Sequence, residues 1–327
     1  MDDNRWQVDV RVFKKSWFRY RFAAAAASLA VLIIFTAGCG PSGQGKLVEG
    51  KLNVVTSFYP LYFLGQQIGG ADANVINMIP AGVEPHDWSP KSQDLDTVSK
   101  AQLFLYNGAG LEGWVDDFLE GLPGNSKLQT VEVSKGIQKI SGNPEDEDDH
   151  PDKGHVDPHT WVSPKSMIIM AKTVLDRFSE ADPAHKDAYE ANYKVLEGKL
   201  SALDKQYADT LATVKKKDIV TSHQAFGYLA RDYGLKQVAI MGLSPDAEPK
   251  ARDLLNITKF VKANGIQYIF FEELVSDEIA KTLAREAHVQ TMVLNPLEGL
   301  TPKQASKGED YFSLMQTNLQ NLVQALQ

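Results

Sequence analysis

An unbroken helical pattern runs from Asp182 to about Lys216 and divides the chain in two. Asp182 is a favoured N-cap type, and Pro183 suits the first helical position. Tyr189, Tyr193, Leu196, Leu200, Leu203, Tyr207 and Leu211 recur at steps of three and four, which marks one apolar face. A helix of about 30 residues is about 45 Å long, enough for a stiff strut between two bodies.

On both sides of that helix, short apolar runs alternate with helical patterns. Before it, strands are expected at 52–57, 74–79, 102–106 and 129–133, with helices near 60–69, 91–99 and 111–120. After it the pattern restarts, with strands at 218–221, 236–241, 267–271 and 290–294. Helices fall near 225–233, 250–263 and 276–287, and a last one from about 308 to 326. Such alternation implies parallel sheets with helices on their faces. The expected fold is therefore α/β: two lobes, each a mainly parallel four-stranded sheet flanked by helices, joined by a long rigid helix. The lobes are expected at 51–181 and 217–327, with 182–216 as the linking helix.

The first 38 residues differ from the rest. Basic side chains at Lys14, Lys15, Arg19 and Arg21 precede an apolar run from Phe22 to Phe35, followed by Thr36-Ala37-Gly38-Cys39. A charged region, an apolar region and small residues in that order form a secretory leader. Small residues leading into cysteine resemble the lipobox of bacterial lipoproteins, although Thr36 stands where an aliphatic residue is usual. Cleavage before Cys39 and a lipid on its thiol are expected, with the body anchored to the cell membrane on its extracytoplasmic side. An uncleaved signal anchor would also place the body there, but the run is short against the ~20 residues of a spanning helix. Residues 39–50, rich in Gly near their start, read as a flexible tether.

Charge and cysteine usage narrow the function. Residues 1–38 carry six basic and three acidic side chains, so the remainder is three units more acidic than the −8 of the whole chain. An acidic body repels phosphate backbones, so no nucleic acid is expected as a partner. Cys39 is the single cysteine, which excludes an internal disulfide framework and a cysteine-rich zinc module.

Four residues stand out as candidate metal ligands. In open α/β sheets, ligands bind beyond the carboxyl ends of the strands. His86 lies in the loop after strand 74–79, His223 directly follows strand 218–221, and Glu298 follows strand 290–294. His159 sits in Asp157-Pro158-His159-Thr160-Trp161, just before a helix that begins near Pro164. Imidazole nitrogen suits zinc, and a carboxylate can complete a tetrahedral shell. Any one of these residues taken alone reads more often as a surface or capping group than as a ligand, and it is their joint placement at loop tips that points to a metal.

The segments GVEPHDWSP, DPHTWVSP, SHQAFGYLA and VLNPLEGLT closely resemble those of the metal-binding lipoproteins of zinc ABC importers, the cluster A-I solute-binding proteins. The likeness covers about residues 51–327. It implies two lobes around a long helix, a divalent metal held between them, and delivery to an ABC permease in the membrane by a monomeric protein. It also implies His86 and His159 as ligands from the first lobe and His223 from the second, with Glu298 at the acidic fourth position. Manganese-selective relatives tend to carry a carboxylate at the third position, so His223 favours Zn2+.

Several features admit more than one role. Residues 145–159 hold seven acidic residues and His150, His155 and His159. The loop 142–158 reads as a metal-gathering segment with His150 and His155 as weak ligands, or as a solvated and poorly ordered one. His155-x-Asp157-x-His159 also suggests a metallohydrolase, but Pro158 fixes a turn and no general base is placed as in a helical H-E-x-x-H site. No enzyme is therefore expected. An adhesin lipoprotein and a manganese-binding protein of the same class compete with the zinc reading. Glu272 or Glu273 suits a partner for a histidine N–H. Trp88 and Trp161 are expected to wall the site, and Tyr62, Phe226 and Tyr228 to pack. His185 and His288 are expected to stay off the metal.

Overall fold

The computed structural model describes residues 45–141, 156–246 and 249–327. The leader, Cys39, His150 and His155 lie outside the described residues, as do the first residues of the tether and most of the acidic loop.

The first sheet contains β1 (Leu52–Thr56), β2 (Ala73–Asn77), β3 (Leu103–Tyr106) and β4 (Gln129–Glu132), all parallel, in the order β2-β1-β3-β4. Helices α1 (Tyr59–Gly69), α2 (Ser92–Ser99) and α3 (Val115–Glu120) make the crossovers. Central β1, Leu-Asn-Val-Val-Thr, is buried throughout, because helices covering both faces of a parallel sheet favour continuous apolar runs. α3 begins four residues later than the periodicity implies, because 111–114 are spent in turns, with Leu111 N donating to Gly108 O and Val115 N to Glu112 O.

α4 (Pro164–Ala181) follows, then a 3₁₀ turn at Pro183–His185 that leads into α5 (Lys186–Ala212). The buried residues of α5 are the seven that define its apolar face in sequence. At 27 residues, α5 is about 40 Å long. Asp182 sits at the entrance, its carboxylate accepting from His185 Nδ1 at 2.7 Å and Tyr189 Oη at 2.8 Å.

The second sheet repeats the first. Its strands are β5 (Asp218–Thr221), β6 (Lys236–Ala239), β7 (Tyr268–Phe271) and β8 (Gln290–Val293), parallel in the order β6-β5-β7-β8. α6 (Gly227–Tyr233), α7 (Ala251–Ala263) and α8 (Glu278–Ala287) connect them. The expected last helix from about 308 is preceded by a separate short one, α9 (Pro302–Lys307). Thr301 and Gln304 form its capping box, and Gly308 ends it at φ 71°, a left-handed conformation that glycine adopts without steric penalty. α10 (Tyr311–Leu326) starts after its own N-cap, Asp310.

The largest apolar core runs from β1 and α1 through α4 and α5 to Phe226, Tyr228, Leu294 and Tyr311 in the second half. Trp161 Nε1 donates to Pro296 O at 2.7 Å, and Tyr311 Oη to Trp161 O at 2.9 Å. The two sheets are therefore bound by packing as well as by the strut. Among the described residues, no helix is long and apolar enough to cross a membrane.

Candidate metal centre

The sequence Val-Thr-Ser runs through the carboxyl ends of both β1 (55–57) and β5 (220–222), each serine one residue beyond its strand, an internal echo at equivalent places in the two sheets. Each central strand there borders a neighbour whose connection leaves in the opposite sense, which opens a crevice at the carboxyl ends. In the second sheet His223 follows Ser222, and Glu272 directly follows β7 alongside. Glu272 Oε1 accepts from Ser222 Oγ at 2.5 Å and meets His223 Nδ1 at 2.6 Å. A carboxylate only accepts, so Nδ1 keeps its proton, and Nε2 presents a lone pair once the imidazole is neutral.

His159 is aimed in the same way. Asp157 Oδ1 accepts its backbone N–H and its Nδ1–H, both at 2.9 Å. The segment is gripped on both sides by buried Asn107, whose Nδ2 donates to Pro158 O at 2.9 Å while its Oδ1 accepts from Thr160 Oγ1 at 3.1 Å. Buried Glu112 takes the backbone N–H of Asn107 at 2.8 Å and Ser57 Oγ at 2.7 Å. Ser57 thus donates to a carboxylate in the first lobe as Ser222 does in the second. From the second lobe, Tyr228 Oη donates to Asp157 O at 2.8 Å.

His86 stands on the loop beyond β2, where its backbone N–H reaches Glu84 Oε1 at 3.2 Å. Trp88 braces that loop by packing edge-on against Trp114, centroids 5.3 Å apart. Glu298 follows Leu297, which is fully buried with φ 61°. A left-handed conformation costs a side-chain-bearing residue about 1–2 kcal/mol, so the surrounding contacts must hold it.

The four side chains converge. His159 Nε2 lies 3.2 Å from Nε2 of His86 and 3.2 Å from Nε2 of His223. Glu298 Oε1 is 3.2 Å from His159 Nε2 and 3.6 Å from the Nε2 atoms of His86 and His223. All four ligand atoms fall within 4.8 Å of one another. An ion holding four ligands tetrahedrally at about 2.0–2.1 Å separates them by about 3.3–3.4 Å. The five separations of 3.2–3.6 Å straddle that edge length.

Their chemistry points the same way. Both Glu298 oxygens are buried without a hydrogen-bond partner among the described residues. When the imidazoles are neutral, with Nδ1 protons committed to Asp157 and Glu272, the lone pairs of His159 and His223 face that carboxylate. In that neutral state the four acceptors, gathered largely away from water, call for a proton or a cation to join them. His159, His223 and Glu298 are buried, and His86 keeps 11% of its side chain exposed.

Electrostatics follow from burial and neighbours. Burial would raise Glu298, but the three imidazoles facing it prevail and hold it well below the carboxylate range. Burial alone lowers all three histidines. His86 ends lowered, whereas Asp157 and Glu298 lift His159, and Glu272 and Glu298 lift His223 well above the usual imidazole range. Burial, with the charge of Glu298 nearby, pushes Glu84 up to about 9.

The four residues singled out in sequence are thus the four the fold brings together. Of the two candidate partner carboxylates, Glu272 meets a histidine; Glu273 instead accepts from Asn295 Nδ2 and Gln304 Nε2. Trp161 walls the site, its ring 5.3 Å from that of His159. His185 pairs with Asp182, and His288 ends α8 at φ 59°. Asn107, Glu112 and Gly227 carry roles that sequence reasoning missed. A Cβ at Gly227 would lie 2.3 Å from Asp157 Oδ2, so that position needs glycine for the carboxylate to approach. The repeated Val-Thr-Ser is the sequence signal that leads to Glu112, through Ser57.

Two like α/β lobes, a long connecting helix and a largely buried cluster of three imidazoles and a carboxylate define a two-lobed protein with a candidate metal centre. Residues 54–325 match the family described as zinc-uptake complex component A, periplasmic, and the chain belongs to that family. It is 44% identical over 284 residues to the zinc-binding lipoprotein AdcA of Streptococcus pneumoniae, covering 85% of this chain and 56% of that one. The chain thus spans little more than half of that relative's length. The high-affinity zinc uptake system protein ZnuA of Bacillus subtilis is 39% identical over 306 residues, covering 91% of this chain and 96% of its own. Among solved structures, the Zn(II)-bound ZnuA-like domain of the Streptococcus pneumoniae AdcA superposes with a TM-score of 0.73 at 43% identity, covering 85% of this chain and 99% of that domain.

Proposed function

We propose that this chain is the extracytoplasmic capture component of an ABC importer, binding Zn2+ between its lobes and delivering it to the membrane permease. His86, His159, His223 and Glu298 are its ligands. The observation that carries this reading is the cluster itself: four acceptor atoms within 4.8 Å of one another, three of the four residues buried and two of the imidazoles fixed by carboxylates. Relatives that bear zinc in their names support it. Two lobes at 51–181 and 217–327 around the linker 182–216 give the ion a seam in which to sit. A lipid on Cys39 holds the monomeric protein at the cell membrane, and His150 and His155 gather metal for the site.

Three imidazoles favour zinc over manganese, which prefers oxygen ligands. Four protein ligands also complete the shell of a structural-type zinc, whereas hydrolytic zinc needs an open position for water. No reaction step is therefore assigned. Purified protein should carry one zinc per chain by mass spectrometry, lost on chelation and restored by zinc alone. His86→Ala and His223→Ala should each abolish tight retention; a tightly held zinc in both variants would show that the ion binds elsewhere.

A further inference from the structure

We propose that Asn318, which touches none of the four ligands, is the positioning residue that fixes Glu298 as the fourth ligand. This rests on the reading of Glu298 as a ligand and adds how it is kept there.

The loop between β8 and Glu298 has little means of holding itself. Pro296 lacks an N–H, and Leu297 must stay at φ 61° for Glu298 to face the imidazoles. α10 supplies the restraint. Asn318, 3% exposed, accepts from Asn295 N at 2.9 Å and donates to Asn295 O at 2.6 Å. One carboxamide thus satisfies both backbone groups of a single residue. Asn321, one turn further on the same helix face, donates to Val293 O at 2.9 Å.

Held in this way, Asn295 uses its own side chain forward. Its Oδ1 accepts from Leu297 N at 2.7 Å, a two-residue side-chain turn that sets the left-handed residue. Its Nδ2 is tied down by Glu273 Oε2 at 2.9 Å, which Gln304 Nε2 also reaches at 2.5 Å. The carbonyl between them, Pro296 O, is taken by Trp161. Restraint therefore passes from Asn318 to Asn295, to Leu297, and so to Glu298. Without it, Leu297 relaxes toward negative φ and Glu298 swings off the shared centre. The pocket then offers three imidazoles and an open position.

A double-mutant cycle separates positioning from mere support, read by competition titration with zinc and by the visible d–d band of the Co2+-loaded protein, whose intensity is greatest for four-coordinate sites. Glu298→Ala should weaken zinc binding and dim the band. Asn318→Ala should lower zinc affinity tenfold or more and dim the band similarly. In the Glu298→Ala background, Asn318→Ala should add nothing further. Equal losses in both backgrounds, or an undimmed cobalt band in Asn318→Ala, would overturn the positioning role and leave the ligand assignment intact. No effect of Glu298→Ala alone would overturn the ligand assignment and this inference with it. Should Asn318→Ala fail to fold, Asn318→Asp, which keeps the acceptor and loses the donor, enters the same cycle with the same criteria.

Discussion

The indole Nε1 of Trp161 donates to the carbonyl of Pro296 at 2.7 Å, tying the segment that carries His159 to the loop that carries Glu298. The segments of two proposed ligands from opposite halves of the chain are thus joined by one hydrogen bond. Trp161→Phe keeps most of the ring and leaves Pro296 O unpaired in a buried place. Leaving a buried acceptor unsatisfied costs about 1–3 kcal/mol, and urea unfolding should show a loss of that size. Zinc affinity should fall with it, whereas a variant of normal affinity would mean that the two loops are held together by other contacts.

Glu272 and Asp157 set the tautomers of His223 and His159. Loss of such a partner lowers metal affinity by about 10–100-fold. Glu272→Gln should fall in that range by competition with a chromogenic chelator, with the fold retained by circular dichroism. His223→Ala should fall further than Glu272→Gln. The reverse order would contradict the assignment of ligand and partner.

Gly227 is not itself a ligand, yet a Cβ there would meet Asp157 Oδ2 at 2.3 Å. Gly227→Ala should push Asp157 off His159. Overpacking of this kind costs about 1–3 kcal/mol, and zinc affinity should drop while the far-ultraviolet spectrum stays unchanged. Unaltered affinity would show that Asp157 has room to shift without turning the imidazole.

The pH dependence has opposite signs with and without zinc. His159 and His223 are raised in the zinc-free chain by facing carboxylates. Their charged pairs stabilise that form fully below the unfolded value of about 6.5, and the contribution is lost as pH rises through the raised folded values. Zinc requires the same imidazoles neutral and displaces their protons. The rise in Tm produced by a fixed zinc excess should therefore be larger at pH 8 than at pH 6. Calorimetry in buffers of different ionisation enthalpy should show net proton release on binding at neutral pH. Proton uptake would contradict the arrangement.

Periodicity and position reveal much of this molecule. All seven residues of the strut's apolar face are buried in α5, because a 3.6-residue period leaves little freedom once one side meets the core. His86, His223 and Glu298 are legible because the carboxyl ends of parallel strands dictate where a ligand can be held. Asn107, Glu112 and Asn318 are not, since a buried amide or carboxylate takes its meaning from partners remote in sequence: Asn107 from Pro158 and Thr160, Asn318 from Asn295. Which of Glu272 and Glu273 meets a histidine depends on the alternation of side chains at the end of β7. The short helix α9 is hidden by its length, although Thr301, Pro302 and Gln304 spell a capping box once the turn is known.

The central claim is that four side chains scattered along the chain surround one ion. X-ray absorption at the zinc edge of the singly loaded protein tests it most directly. The expected spectrum is four-coordinate, with nitrogen and oxygen neighbours at about 2.0–2.1 Å and the outer-shell scattering of three imidazoles. A six-coordinate shell, or one with the scattering of a single imidazole, would contradict it.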